Sequence, residues 1–234
     1  YNTGNTPKVI GGITNKCSQV GEALYSKIIE KIVVVSSTET AEMVKLLENT
    51  FRAINIGLAN EVAIMCEKLG VDAWEVIDAA ATKPFGFLPH YPGAGAGGHC
   101  IPKDPRFLLE SAKKFQGNFA TIENALKINK KMPEYISNSL KDSIKKLGLK
   151  KSILVSGLSY KSNVEDMRDS ASFKVINELV SSGYEVFGYD PFFREEIIKK
   201  YLIENNLKEI NFKLVENLND EILEEISCIC IVQH

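Results

Sequence analysis

The sequence predicts an α/β chain in which a central all-helical unit is followed by a parallel-sheet unit. Two observations carry that expectation. From about Glu39 to Leu69 there is no proline and only one glycine, and apolar residues recur at helical spacing. After Gly148 the pattern changes to a buried apolar run at Lys151–Gly157, an amphipathic stretch at Ser172–Ser182 and a second apolar run at Tyr184–Asp190. Those lengths suit strand, crossover helix and strand, hence a right-handed βαβ unit in a parallel sheet.

The elements follow in order. Lys8–Gly12 reads as the end of a strand, with a short helix over Ala23–Glu30 and a β-branched strand over Lys31–Val35. Ser36-Ser37-Thr38-Glu39 offers an N-cap for the long helix, and Gly70 ends it. Its apolar positions (Met43, Leu46, Leu47, Phe51, Ile54, Leu58, Val62 and Met65) span so wide an arc that cover from its own domain or a second subunit is expected. Asp72–Ala80 is helical, Lys83–Gly98 is a Pro/Gly loop, and Pro105–Lys114 and Thr121–Leu147 are helical again. Beyond Asp190 the pattern gives a helix at Glu195–Asn205, a short strand at Phe212–Val215 and a further central strand at Ile226–Val232. A sheet that stops on an interior strand implies more chain beyond it, and the opening reads as the middle of something larger.

Composition excludes several classes. The 234 residues fit one large or two ordinary domains, and 44% hydrophobic with 25% charged residues is enough to bury a sizeable core. A net charge of -2 shows no basic excess for nucleic acid. No apolar stretch reaches membrane-spanning length, and the polar start is not a signal peptide. Five cysteines without CxxC spacing argue against zinc or a disulfide framework and for a reducing cytoplasm. Cys66, Cys228 and Cys230 lie in apolar segments and read as core; Cys17 carries no signal.

Cys100 stands apart. Gly93, Gly95, Gly97 and Gly98 precede it directly, and Asp104 follows four residues on. Alternating glycines let backbone N–H groups approach an anionic or hydroxylated ligand, and a thiol at the end of such a loop is placed to act as a nucleophile. Lys45 and Asn49 are four apart on the long helix and share a face, with Arg52 on the same stripe. A solvated stripe with Glu48 and Arg52 paired is the plainer alternative. Gly157-Leu158-Ser159-Tyr160-Lys161 follows a buried strand, where ligands sit in open α/β sheets, although the G-x-G-x-x-G fingerprint is absent. Arg168 could hold a phosphate through its planar fork or pair with its acidic neighbours. Asp190 could accept a ribose hydroxyl, with a turn or capping role beside Pro191 as the alternative.

Together, Ala41–Thr50, the Gly93–Asp104 loop, and Gly157–Lys161 with Arg168 seven residues on resemble the UDP-sugar 6-dehydrogenase family, from about Thr6 to the end. Gly-Gly-His-Cys in place of Gly-Gly-Ser-Cys, and Lys83-Pro84-Phe85-Gly86-Phe87, lean toward its N-acetylhexosamine branch. The resemblance implies a remnant of an N-terminal NAD-binding domain at 1–37, a central helical dimerisation and catalytic domain at 38–148, and a Rossmann-like UDP-sugar-binding domain at 149–234, incomplete at its C-terminus. It further implies a cytoplasmic homodimer formed through the long helix, with neither membrane nor nucleic-acid partners and no metal. The activity implied is NAD-dependent oxidation of the C6 alcohol of a UDP-N-acetylhexosamine to the acid, with UDP-ManNAc favoured over UDP-GlcNAc or UDP-glucose. By resemblance Cys100 forms the thiohemiacetal and thioester, Lys45 and Asn49 donate to the oxyanion, and Asp104 positions Lys45 and the hydrolytic water. Tyr91, Gly93, Gly95, Gly97, Tyr160 and Lys161 hold the UDP-sugar, and Arg168 reaches the NAD phosphates. Without the NAD domain the chain alone is expected to be an inactive UDP-sugar-binding and dimerisation fragment. Single-step hydroxyacid or 6-phosphogluconate dehydrogenases, the rival class, need no thiol.

Overall fold

A computed structural model describes residues 2–205, 207 and 210–233 of the chain. It opens on a small parallel βαβ unit, β1 (Lys8–Gly11), α1 (Asn15–Tyr25) and β2 (Ile32–Val35), with Lys8 opposite Ile32 and Gly11 opposite Val35. The helix expected over Ala23–Glu30 lies earlier. Thr14 starts it by accepting the Cys17 N–H, and Gly21 sits inside it because a Cβ there would press to 3.2 Å from the Ile10 side chain.

The long helix α2 (Thr38–Leu69) runs 32 residues, from the Ser37 hydroxyl, which accepts the Thr40 N–H, to Gly70 in the left-handed conformation at φ 69°. Within this chain one face of it is enclosed. The enclosed face carries small and polar residues, Asn49, Thr50, Ala53, Gly57, Ala59, Asn60 and Cys66. Met43, Leu47, Phe51, Leu58 and Met65 are exposed on the other side. The reason is close crossing with α5 (Ala120–Leu147): a Cβ on Gly57 would lie 3.1 Å from the Cα of Ala125. Side chains of ordinary size would hold the two helices apart.

Asp72 caps α3 (Ala73–Ala81). The loop from 83 to 99 then leads into α4 (Cys100–Ala112), which begins five residues before the expected Pro105. Pro102 falls in the first turn, where backbone N–H groups have no helical partner, and Pro105 forfeits only one hydrogen bond, so neither proline sets the start. α5 packs on both α2 and the second unit, and ends on Gly148 at φ 65°.

The second unit contains β3 (Ser152–Ser156), α6 (Ala171–Ser181), β4 (Glu185–Tyr189), α7 (Glu195–Glu204), β5 (Lys213–Leu214), α8 (Asp220–Glu225) and β6 (Cys228–Ile231). The sheet order is β5-β4-β3-β6, parallel throughout, with Ile153 opposite both Val186 and Cys228. Alternate residues face opposite layers. Ile153, Val155 and Val186 join Val175, Ile176 and Leu179 of α6 with Ile144 of α5, while Leu154 and Phe187 face Val215 and Ile222. The strand expected to be central at Ile226–Val232 is at an edge among the described residues. Cys230 packs on the core and Cys228 is half-buried, whereas Ile229 and Ile231 point out at 51% and 64% exposure. Cys66 is buried, as its apolar helix implied.

Replacing Gly57 by Val should destabilise the chain by about 1–3 kcal/mol through overpacking against Ala125. Thermal unfolding followed by circular dichroism measures it; an unchanged midpoint would show that the α2–α5 crossing has room to spare.

Candidate active site

Cys100 is the first residue of α4 and is exposed. Asp104 lies one turn further along the same face of that helix. Its carboxylate accepts a 2.5 Å hydrogen bond from Nδ2 of Asn49, which is wholly buried on α2. The Asn49 carbonyl oxygen accepts from the Arg52 guanidinium, so the amide is fixed on both sides. A cysteine, an aspartate and an asparagine from two helices are thereby drawn into one cluster, with Lys45 one turn before Asn49.

Two expected pairings differ. Lys45 Nζ lies 3.7 Å from Glu48, with both side chains more than half exposed, and Asp104 is held by Asn49 instead. Arg52 does not pair with the Glu48 carboxylate: it donates to the Glu48 backbone carbonyl at 3.4 Å and to Asn49. The physical reason is burial. The guanidinium gains more at the enclosed amide than from an exposed ion pair worth a fraction of a kcal/mol.

The glycine loop is shaped from within the chain. Gly93 donates its N–H to Oδ1 of Asn60 at 2.9 Å, and a Cβ on Gly95 (φ 120°) would lie 2.7 Å from the Asn129 carbonyl. Gly97 and Gly98 press against the second unit. The Gly98 N–H donates to the Arg168 carbonyl at 3.0 Å, and a Cβ there would sit 2.7 Å from the Tyr160 ring; one on Gly97 would meet Tyr160 Cβ at 2.9 Å. Tyr91 gives its hydroxyl proton to Asp78 at 2.7 Å, and that bond raises its pKa. A cleft of about 490 Å³ opens beside the start of the loop, at Gly93, rather than at the sulfur; Glu67, Trp74, Tyr135 and Cys230 help to line it.

From the sheet side, Asp190 sets the loop after β3. Its Oδ2 accepts the N–H of Leu158 at 2.7 Å and both the N–H and hydroxyl of Ser159 at 2.9 Å, and Oδ1 accepts the Phe192 N–H at 3.0 Å. The carboxylate is 5% exposed and saturated, so the turn alternative holds and a ribose hydroxyl has no place on it. Tyr160 is fixed at its N–H by the Asp166 carbonyl and at its carbonyl by Gln233. Lys161 is exposed beside it. Arg168 is exposed and forks onto Asp166, with contacts of 2.6–3.0 Å; those hydrogen bonds depress the Asp166 carboxyl and raise Arg168, to which Tyr160 and Cys100 add at longer range. The loop thus meets the backbone of Arg168 two residues before Cys100.

Asn60, Asn129 and Asp78 carry much of this geometry and went unrecognised in the sequence. A faint signal existed for Asn60: it lies eleven residues from Asn49, three turns along one face.

The sequence matches the UDP-glucose/GDP-mannose dehydrogenase family twice, its central domain over residues 39–131 and its UDP-binding domain over residues 154–234. The chain belongs to that family. It is 42% identical over 185 residues to the UDP-N-acetyl-D-mannosamine dehydrogenase of Methanococcus maripaludis, covering 79% of this chain and 42% of that protein. The structure of UDP-D-ManNAc dehydrogenase from Pyrococcus horikoshii superposes with a TM-score of 0.81 at 34% identity, over 98% of this chain and 50% of the other. A UDP-glucose dehydrogenase from Pyrobaculum islandicum gives the same TM-score at 28% identity, over 97% and 50%. The match thus spans less than half the length of that curated relative and about half of each solved structure. Among the described residues no helix is long and apolar enough to cross a membrane.

Asp190→Ala strips a saturated acceptor from three donors in the loop after β3 and should cost at least about 3 kcal/mol. Urea unfolding gives the number; a loss below 1 kcal/mol would mean that the loop holds its shape without the carboxylate.

Proposed function

We propose that this chain forms the catalytic and UDP-sugar-binding part of an NAD-dependent dehydrogenase that oxidises the C6 alcohol of a UDP-N-acetylhexosamine, UDP-ManNAc above the others, to the acid. The observation that carries the proposal is the Asn49–Asp104 bond, which sets Cys100 one helical turn from a buried amide–carboxylate pair and at the junction with Tyr160 and Arg168. The names of the relatives support the choice of sugar.

In this reading the C6 alcohol first loses a hydride and its hydroxyl proton to become the aldehyde; the Cys100 sulfur then adds to the carbonyl carbon, and a proton on the oxygen completes the thiohemiacetal, so that two hydrides leave in each turnover. Loss of a hydride and that proton leaves a thioester. Water adds to the thioester carbon, the C–S bond breaks, and the carboxylate departs as the thiol reforms. Lys45 donates to the developing oxyanion, because its exposed pair with Glu48 is weak enough to exchange for a buried negative charge. Asn49 fixes Asp104, with its second N–H left for the oxyanion or the attacking water. The glycine loop, Tyr91, Tyr160 and Lys161 enclose the UDP-sugar.

NAD, when bound, supplies the hydride acceptor. The residues here fit it only in part. Arg168 is exposed, pairs with Asp166, and in this reading turns from it to reach the phosphates. Gly11 at the end of β1 and Gly12 after it form no cradle, because the Gly12 N–H is held by Ser18 and a Cβ on Gly11 would collide with the Ser37 carbonyl. The remaining contacts, and the other acid and base groups, belong in this proposal to the family's NAD domain, of which 1–37 is the close; 38–148 and 149–234 are the catalytic and UDP-sugar domains. The exposed face of α2 (Met43, Leu47, Phe51, Leu58 and Met65) is the dimer surface.

In the whole protein, Cys100→Ser should abolish acid formation while UDP-sugar binding, measured by calorimetry, persists; wild-type acid production would remove Cys100 from its role. Lys45→Ala and Asn49→Ala should each lower kcat roughly one hundred-fold. A change confined to KM would make them binding residues. Turnover of UDP-ManNAc, UDP-GlcNAc and UDP-glucose side by side tests the sugar, and light scattering tests the dimer, a monomer at micromolar concentration contradicting it.

A further inference from the structure

We infer that Asn60, with Asn129 behind it, is a positioning residue that anchors the start of the cysteine loop to α2, as Asn49 anchors its far end. Asn60 sits in the middle of α2 with no exposed surface. A buried amide needs partners on both sides, and here the partners form a chain. Asn129 Nδ2 on α5 donates to the Ala53 backbone carbonyl at 2.9 Å. Asn129 Oδ1 accepts from Asn60 Nδ2 at 3.0 Å, and Asn60 Oδ1 accepts from the Gly93 N–H at 2.9 Å.

The direction of that chain is dictated from its far end. The Ala53 carbonyl only accepts, so Asn129 must aim its NH2 there and its oxygen at Asn60. Asn60 must then aim its NH2 at Asn129 and its oxygen outward. The outward oxygen meets an N–H, the only backbone group that suits it, and Gly93 supplies one. If α2–α5 adhesion were the whole task, apolar side chains would serve at these two positions at no loss. The Gly93 bond is the link that leaves the helix pair.

Asn49 and Asn60 lie three turns apart on one face, about 16 Å along the axis. Between them they grip both ends of the segment from Gly93 to Asp104, which contains the sulfur. Gly95 against Asn129, and Gly98 against Arg168, fix the middle. A rigid helix thereby sets where Cys100 stands. The consequence for turnover rests on Cys100 being the nucleophile, whereas the anchoring does not.

The test is amide deuterium exchange on this chain, comparing wild type with Asn60→Leu/Asn129→Leu, which removes both amides together and keeps the helix packing apolar. Exchange at 93–98 should speed up about ten-fold, the worth of one part-buried hydrogen bond, with α2 and α5 unchanged. Should that variant fail to fold, Gly93→Pro deletes the donor from the loop side, where a Cβ meets nothing within 4 Å, and should speed exchange at 94–98 likewise. Wild-type exchange in a folded variant overturns the inference. In the whole protein the double variant should lower kcat about ten-fold with KM for the UDP-sugar within three-fold. Faster exchange with unchanged turnover upholds the anchor and overturns its part in positioning the loop for turnover, a result that leaves Cys100 to its own test.

Discussion

Gly97 and Gly98 approach the segment from Tyr160 to Arg168 so closely that neither has room for a Cβ, and one backbone hydrogen bond closes the seam. Everything proposed for Cys100 depends on that seam. The sulfur is offered by the helical unit at the start of α4, whereas Tyr160, Lys161 and Arg168 come from the sheet unit. No packing of larger residues would let the two meet at this distance. The glycines therefore serve two demands, close approach between units and backbone freedom beside a ligand, and the first is already met within the chain.

The second constraint is the inverted packing of α2. Its small and polar face is turned inward, so that α5 crosses closely at Gly57 and Ala125, and its buried amides bind the loop and Asp104. Its large apolar side chains are left outside. Burial of such a stripe is worth about 25 cal/mol per Å², which gives a second copy a strong reason to cover it. In the proposed dimer the same helix would be both ruler for the loop and contact surface, a change on either face being felt at the other only through its rigidity.

Much of the fold was legible because its signals are local. Ser37 and Gly70 bound α2 by capping chemistry that depends on a few neighbouring residues, and the apolar runs of β3 and β4 need only their own composition. Errors arose where local signals mislead. Pro105 looks like a helix start but lies inside α4, and the helix expected over Ala23–Glu30 instead starts at Asn15, with Gly21 inside it against Ile10. Of the site, the motif residues Lys45, Asn49, Cys100 and Asp104 were visible, but the order of their bonds was not. Asn49 rather than Lys45 holds Asp104, since whichever group is buried must be satisfied first. Asn60 and Asn129 are 69 residues apart, and nothing in either neighbourhood announces the other.

The most direct test of Cys100 as the nucleophile is rapid acid quench of the whole protein during oxidation of a UDP-N-acetylhexosamine, followed by peptide mass mapping. A sugar acyl adduct on the peptide carrying Cys100, decaying as acid appears, is the expected result. Acid formed at full rate with that peptide unmodified at every time point would contradict it.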